Sequence, residues 1–498
     1  MWILILIINV AGFLNIAEGI GPSGNCTLLP KGERSFPQNF SFGVSTSAYQ
    51  IEGSWNADGK GPSIWDEFCH NHPDNILDRT NGDIAANSYR RFDLDLEALR
   101  DLKVNHYRFS ISWTRIYPSG DISSKNQKGI DYYNNVINQL IANGIQPMVT
   151  MFHYDLPIEL QKLGGLTNEL FIDQFVTYAD ELFKNFGDRV KTWITFNEPV
   201  RFCKPGYGTG RDPPQIKASG IGDYLCIANI LKSHAAAYHL YRSKYFDEQH
   251  GKVGISLDTS YFFSKSNDNE LVYRSLQYNL GILAHPIYSK SGGFPEVMVK
   301  EIERNSLQEG RLKSRLPSLE GKWKDLIRGS GDFLALNHYT SKYVERSPQP
   351  LGDNPSMQRD YDTIETVDEN WLQAHSYWLN CVPEGMEMLL NFIRDEYNNI
   401  EVIITENGWS DSGEIEDNNR IVYLKSYIQA VLNAINDGCN VTAYSVWSFI
   451  DNFEWIQGYT DKFGLYSVNM ISPERQRSPK KSARFYRQII ETRKIPNV

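Results

Sequence analysis

Two short stretches put an acid where an apolar strand should end. TWITFNEP (192–199) and VIITENG (402–408) each run through β-branched and aromatic residues and stop at a carboxylate, Glu198 in the first and Glu406 in the second. Side chains of that kind suit buried strands, and a strand made only for packing has no use for an acid at its tip. Two such acids facing one another can divide the labour of breaking a glycosidic bond. One stays protonated, by burial or a nearby negative charge, and donates to the leaving oxygen. The other stays ionised and attacks carbon; Arg108, in HYRFSISW (106–113), is a candidate cation for it. Glutamates at strand ends also serve as salt-bridge partners, so spacing alone leaves both readings open.

Positioning the two acids requires strands that end on one face. The chain supplies eight apolar, β-rich runs: 40–50, 106–113, 145–154, 190–199, 253–262, 332–340, 402–408 and 441–455. Helical spacing lies between them. In 87–104, Tyr89, Phe92, Leu96, Leu99 and Leu102 fall at steps of three or four, and 421–438 behaves alike and stops at Gly438. Near-continuous apolar strands alternating with amphipathic helices predict parallel strands covered on both faces. Eight such units predict a single closed (β/α)8 TIM barrel, an α/β fold with its active site at the C-terminal strand ends. An open doubly wound sheet is the alternative, but no G-x-G-x-x-G follows the first strand. The predicted strand ends carry Gln50, His153, Asn197, Glu198, Asn337, Glu406 and Glu454.

The 498 residues are 41% hydrophobic and 22% charged, an ordinary globular balance with material for a large core. A formal net charge of −10 argues against nucleic acid or an anionic membrane as partner. Residues 1–19, apolar and then small, read as a secretory signal peptide without the usual positive start, leaving 20–498 as the barrel domain. The expected location is therefore secreted, with no membrane attachment after cleavage. Three N-x-S/T sequons, at Asn25, Asn39 and Asn440, are glycosylation candidates; Asn440 lies beside a predicted core strand, which makes Asn25 the preferred acceptor. Six cysteines do not make a disulfide scaffold in a chain this long. Cys203 and Cys226 flank a Gly/Pro-rich loop and are the candidate pair. No Cys/His spacing suggests a metal, and no cofactor is expected.

Six ordered motifs resemble glycoside hydrolase family 1, the β-glucosidase family, over nearly the whole chain. They are FPQNFSFGVSTSAYQIEGSW (36–55), YRFSISWTRIYPSG (107–120), TFNEP, LNHYTS (336–341), ITENGW (404–409) and WSFIDNFEWIQGYTDKFGLY (447–466). The resemblance implies a retaining β-glycosidase, acting on small β-glucosides, with Glu198 as general acid/base and Glu406 as nucleophile. It implies that Arg108 and Tyr339 orient the nucleophile and that Asn197 binds the sugar 2-hydroxyl, with Asn337 beside Tyr339. It implies that Gln50, His153, Glu454 and Trp455 bind the remaining sugar hydroxyls, that Trp447 stacks under the ring and that Phe463 joins the pocket. An anionic Glu454 near the sugar's 6-position would repel a phosphate.

The chain departs from the family on the leaving-group side, with Val200 and Leu166 where Trp is usual and Ala228 where His is common. Arg201, Lys204 and Arg211 put positive charge in the same loop. The plain reading is a solvated loop; the sharper one is an anionic aglycone, as in a thioglucosidase (myrosinase) cleaving glucosinolates. Plant thioglucosidases of this barrel replace the acid/base Glu, which is retained here. A catalytically inactive sugar-binding barrel is the third alternative, and its expected signature, loss of either acid, is absent.

Overall fold

The computed structural model describes Pro22, Gly24 and residues 26–496. The signal-peptide assignment and the Asn25 sequon lie outside the described residues. Eight parallel strands close a barrel: β1 (Ser41–Ser45), β2 (His106–Ser110), β3 (Gln146–Phe152), β4 (Thr192–Asn197), β5 (Lys252–Asp258), β6 (Leu334–Asn337), β7 (Val402–Asn407) and β8 (Val441–Trp447). Each pairs with its neighbours in chain order, and β1 closes on β8 through Ser41 opposite Ala443 to Ser45 opposite Trp447. The open-sheet alternative is excluded.

The strands follow the apolar runs because both of their faces are covered. Outward side chains meet amphipathic helices such as Ser88–Leu102, which buries Phe92, Leu99 and Leu102, and Asn418–Asn436, which is followed by Gly438 at φ +93°. Inward, a separate cluster of Met148, Ile194, Phe333, Ala335, Ile403 and Ala443 packs the barrel interior, so the centre is a core and not a pore.

All eight runs overshoot their strands, and three do so by four residues or more at the C-terminal end. The first strand stops at Ser45, and Gln50 sits on the helical turn Ala48–Ile51. The last stops at Trp447, so Glu454 belongs to the loop beyond it. The run 253–262 breaks after Asp258, and Tyr261–Phe263 joins Ser341–Arg346 and Thr363–Thr366 in a small accessory sheet above the barrel mouth.

Pairing slips where function needs it. The β4–β5 register shifts between Ile194 and Asn197, and β7 shifts against both neighbours after Ile404. Irregularities of this kind bend a strand and re-aim its side chains, and these two fall just before Asn197 and Glu406. Two disulfides tie the periphery, Cys203–Cys226 and Cys26–Cys381; the second joins segments too distant in sequence to be read as a pair.

Candidate active site

A cavity of about 520 Å3 opens at the C-terminal strand ends. Glu198 and Glu406 both line it, together with His153, Asn197, Asn337, Tyr339, Trp447, Glu454, Trp455 and Phe463. Arg108 and Gln50 lie behind the wall.

The two acids are held differently. Arg108, wholly buried on β2, donates from Nη1 to Glu406 Oε1 at 2.6 Å, and the Tyr339 hydroxyl donates to Glu406 Oε2 at 2.7 Å. The remaining Arg108 nitrogens are also fixed, Nη2 on Asn197 Oδ1 at 2.6 Å and Nε on Thr150 Oγ1 at 3.1 Å. Glu198 meets only neutral donors: Asn337 Nδ2 reaches Oε1 at 2.7 Å and the Tyr154 hydroxyl reaches Oε2 at 2.5 Å.

The orientation of these amides follows from their neighbours. Arg108 can only donate, so the atom of Asn197 facing it is the oxygen. Asn337 therefore presents its NH2 to Asn197 Oδ1 at 3.1 Å, while its own oxygen accepts from Thr405 and Ser256 hydroxyls at 2.6 and 3.0 Å. A chain of hydrogen bonds thus runs Glu406–Arg108–Asn197–Asn337–Glu198.

Electrostatics sort the acids. Burial pushes the Glu406 carboxyl up to about 7; Arg108 pulls the other way, and the Glu198 charge adds to the rise. The guanidinium is the contact the two acids do not share, and it biases the negative charge toward Glu406.

The sugar-facing wall is aromatic with a polar rim. His153 lies nearly parallel to Trp447 and Trp455, with ring centroids 5.9 and 6.0 Å away, and burial beside Arg108 holds it neutral. Phe463 stacks with Trp378 and meets Tyr339 edge-on. Burial, then the charges of Asp461 and Glu406, push Glu454 up to about 8. Gln50 is fully buried, its NH2 directed to Asn452, Phe453 and Glu454 and its oxygen accepting from Ser47. It braces Glu454 and does not line the cavity.

The outer cavity is where expectation and structure part most. Arg201 and Arg211 stay partly exposed, as a solvated loop would have them, but they are not free charges: both bond the buried Asp212 at 2.8 Å. Lys204 lines the cavity and its ammonium has no bonded partner among the described residues; desolvation lowers its pKa. Val200 lines the same side, half-buried, and Cys203–Cys226 ties the helical turn that follows Glu198 to helix Gly222–Lys244.

Two residues were missed by sequence reasoning. Tyr154 closes the run 145–154, in which His153 is the candidate, and Asp258 ends β5 inside the run 253–262. Burial and the Glu198 charge push Asp258 up to about 8, and its Oδ1 is buried without a bonded partner. An acid at a strand end was the available signal for Asp258, and a polar-tipped ring at a strand end for Tyr154.

Asn39 and Asn440 are exposed. Among the described residues no group of three or more His, Cys, Asp or Glu is placed to hold a metal ion, and no helix is long and apolar enough to cross a membrane.

Comparison with known proteins places this geometry. The profile described as glycosyl hydrolase family 1 matches residues 32–495. Myrosinase 1 of Brevicoryne brassicae is 44% identical over 465 residues, covering 92% of this chain and 99% of the relative. A solved aphid myrosinase superposes with a TM-score of 0.88 at 43% identity, over 92% of this chain and all of that one. A rice β-glucosidase mutant solved in a covalent complex with glucose superposes with a TM-score of 0.86 at 35% identity, over 91% and 99%.

Proposed function

For a chain that belongs to glycosyl hydrolase family 1, we propose a division of labour in which Glu406 is the nucleophile and Glu198 the acid/base, acting on the non-reducing glucose of small β-glucosides. The protein is a retaining β-glycosidase. What carries the residue assignment is the unequal support of the two acids, a buried guanidinium on Glu406 and neutral donors on Glu198.

The reaction follows in two balanced steps. Glu406 attacks the anomeric carbon while Glu198 gives its proton to the departing oxygen, leaving an α-linked ester. Glu198, now anionic, takes a proton from water, and the water oxygen attacks the same carbon from the face the aglycone left. Two inversions return the β-configuration and restore both acids. Asn197, fixed by Arg108, is placed to bind the 2-hydroxyl, a contact that tightens as positive charge develops on the sugar. Trp447 offers an apolar face to the ring.

A panel varying sugar and leaving group separately tests this reading, with 1H NMR of the first product. β-Glucose released first is expected; the α-anomer first, or no cleavage of any β-glycoside, would overturn it.

One observation favours an anionic aglycone as a second reading. Lys204 brings to the outer cavity an ammonium that no carboxylate bonds, Glu365 acting on it only through its charge, whereas Arg201 and Arg211 are tied to Asp212. A glucosinolate turned over faster than a neutral aryl glucoside, with the preference abolished in K204Q, is the expected result; no glucosinolate turnover removes it. Cleavage of a leader at 1–19 and secretion are supported by two disulfides, which persist in oxidising compartments. The exposed Asn39 and Asn440 are accessible to glycosylation.

A further inference from the structure

Glu198 is gripped from β3 as well as from β6. The Tyr154 hydroxyl donates to Glu198 Oε2 at 2.5 Å and accepts from Asn197 Nδ2 at 3.3 Å. Its ring is clamped nearly parallel to Phe202 at 5.5 Å and tilted against Trp455 at 5.1 Å. The backbone there has φ +74°, a region a bulky L-residue avoids and occupies only where its surroundings enforce it. Other buried tyrosines bond backbone carbonyls, as Tyr178 does on Ile111 and Tyr486 on Gly43, or carboxylates that do not line this cavity, as Tyr133 does on Glu52. Tyr154 instead spans the acid and the amide assigned to the sugar's 2-hydroxyl.

The partners also say which oxygen carries the acidic proton. Asn337 offers only N–H to Oε1, so a proton on that oxygen would meet a donor. Oε2, the atom at Tyr154, faces a group able to accept and is the better placed to bear it. A phenol, unlike an amide, can turn from donor to acceptor without moving its oxygen.

We propose that Tyr154 is a positioning residue for the acid/base carboxyl: its hydroxyl donates to Oε2 when Glu198 is anionic and accepts from Oε2–H when Glu198 is protonated. The inference rests on Glu198 being the acid/base. Tyr154 keeps its own proton throughout; only the O–H direction changes. Burial and the Glu198 charge push the phenol well above its ordinary value, so it remains neutral.

The titratable and charged groups facing Glu198 are Tyr154 after β3, Arg201 on the turn after β4, Asp258 on β5, Tyr339 after β6, Glu406 on β7 and Glu454 beyond β8. The test therefore needs a control at Asp258. In Y154F the ring and its stacking survive while the donor to anionic Glu198 is lost. The basic limb of kcat/KM on phenyl β-glucoside should move up by on the order of one pH unit, the worth of one hydrogen bond to a charged oxygen. With 2,4-dinitrophenyl β-glucoside, whose departure needs no proton, kcat/KM should fall less than with the phenyl substrate. Equal losses on both substrates with an unmoved limb would reduce Tyr154 to packing and overturn the proposal. A limb that moves in D258N and not in Y154F would overturn it too. E198A measured first separates the premise: wild-type rates on the phenyl substrate would remove the acid/base assignment before Tyr154 is touched. Thermal melting of each variant confirms that the fold is retained.

Discussion

Arg108→Met isolates the charge that tells the two acids apart. Methionine is unbranched and apolar, so it fills much of the same space while removing the cation from Glu406, the Nη2 contact to Asn197 and the Nε contact to Thr150. A hydrogen bond to a charged group contributes about 1.5–3 kcal/mol, which corresponds to about one to two pH units on the carboxyl. Glu406 is already pushed up to about 7 with Arg108 in place, so its loss drives the carboxyl higher still. The nucleophile must be ionised, hence activity is present above its pKa and lost as pH falls through it. The acid limb of kcat/KM therefore moves up in R108M, and near neutrality the rate falls by roughly 10- to 100-fold from protonation alone. Part of that loss returns on raising the pH. Stability responds with a matching sign. A carboxyl whose folded pKa lies above its unfolded value stabilises the fold below the unfolded value, about 4.3, and that contribution is lost as pH rises through the folded value. R108M should thus melt further below wild type at pH 8 than at pH 5. The assay is a pH series of kcat/KM on an aryl β-glucoside, with melting at both pH values. A uniform drop at every pH with the acid limb unmoved would refute the reasoning.

Other perturbations have distinct signatures. E198A should lose about 10²- to 10⁴-fold on substrates whose leaving group needs a proton, much less on 2,4-dinitrophenyl β-glucoside, and should yield β-glucosyl azide when azide is added. E454Q removes a carboxyl that burial holds near 8; its Tm relative to wild type should rise between pH 5 and pH 9, while KM for glucosides increases about tenfold, the value of roughly 1.4 kcal/mol of sugar contact. Replacing both Cys203 and Cys226 by Ser opens a 23-residue span and should cost about 3 kcal/mol, seen as a lower Tm with both pH limbs in place.

Much of the fold was legible because each barrel strand is covered on both faces and so is written as an uninterrupted apolar run. The same uniformity hid where strands stop. Gln50 reads as the end of a strand but lies on a helical turn, and Glu454 reads as strand but belongs to the loop after Trp447. The two acids stood out because a charge closing a β-branched run has no packing purpose. Tyr154 did not, because an aromatic there is also what a core would want, and only the position of its hydroxyl separates the two roles. Charges were hardest to place: Asp212 captures its neighbour Arg211 and also Arg201, ten residues before that, and only the fold of the loop brings the second to it. Cys26 and Cys381 meet only because the chain's start returns to the loop preceding helix Pro383–Glu396.

Trapping the covalent intermediate tests the assignment of the nucleophile most directly. Treatment with 2-deoxy-2-fluoro-β-glucosyl fluoride, followed by peptide mapping, should give time-dependent, stoichiometric inactivation with the fluorosugar esterified to Glu406 in VIITENG. A label on Glu198, Asp258 or any other residue, or a protein that never accumulates the ester, would contradict the account.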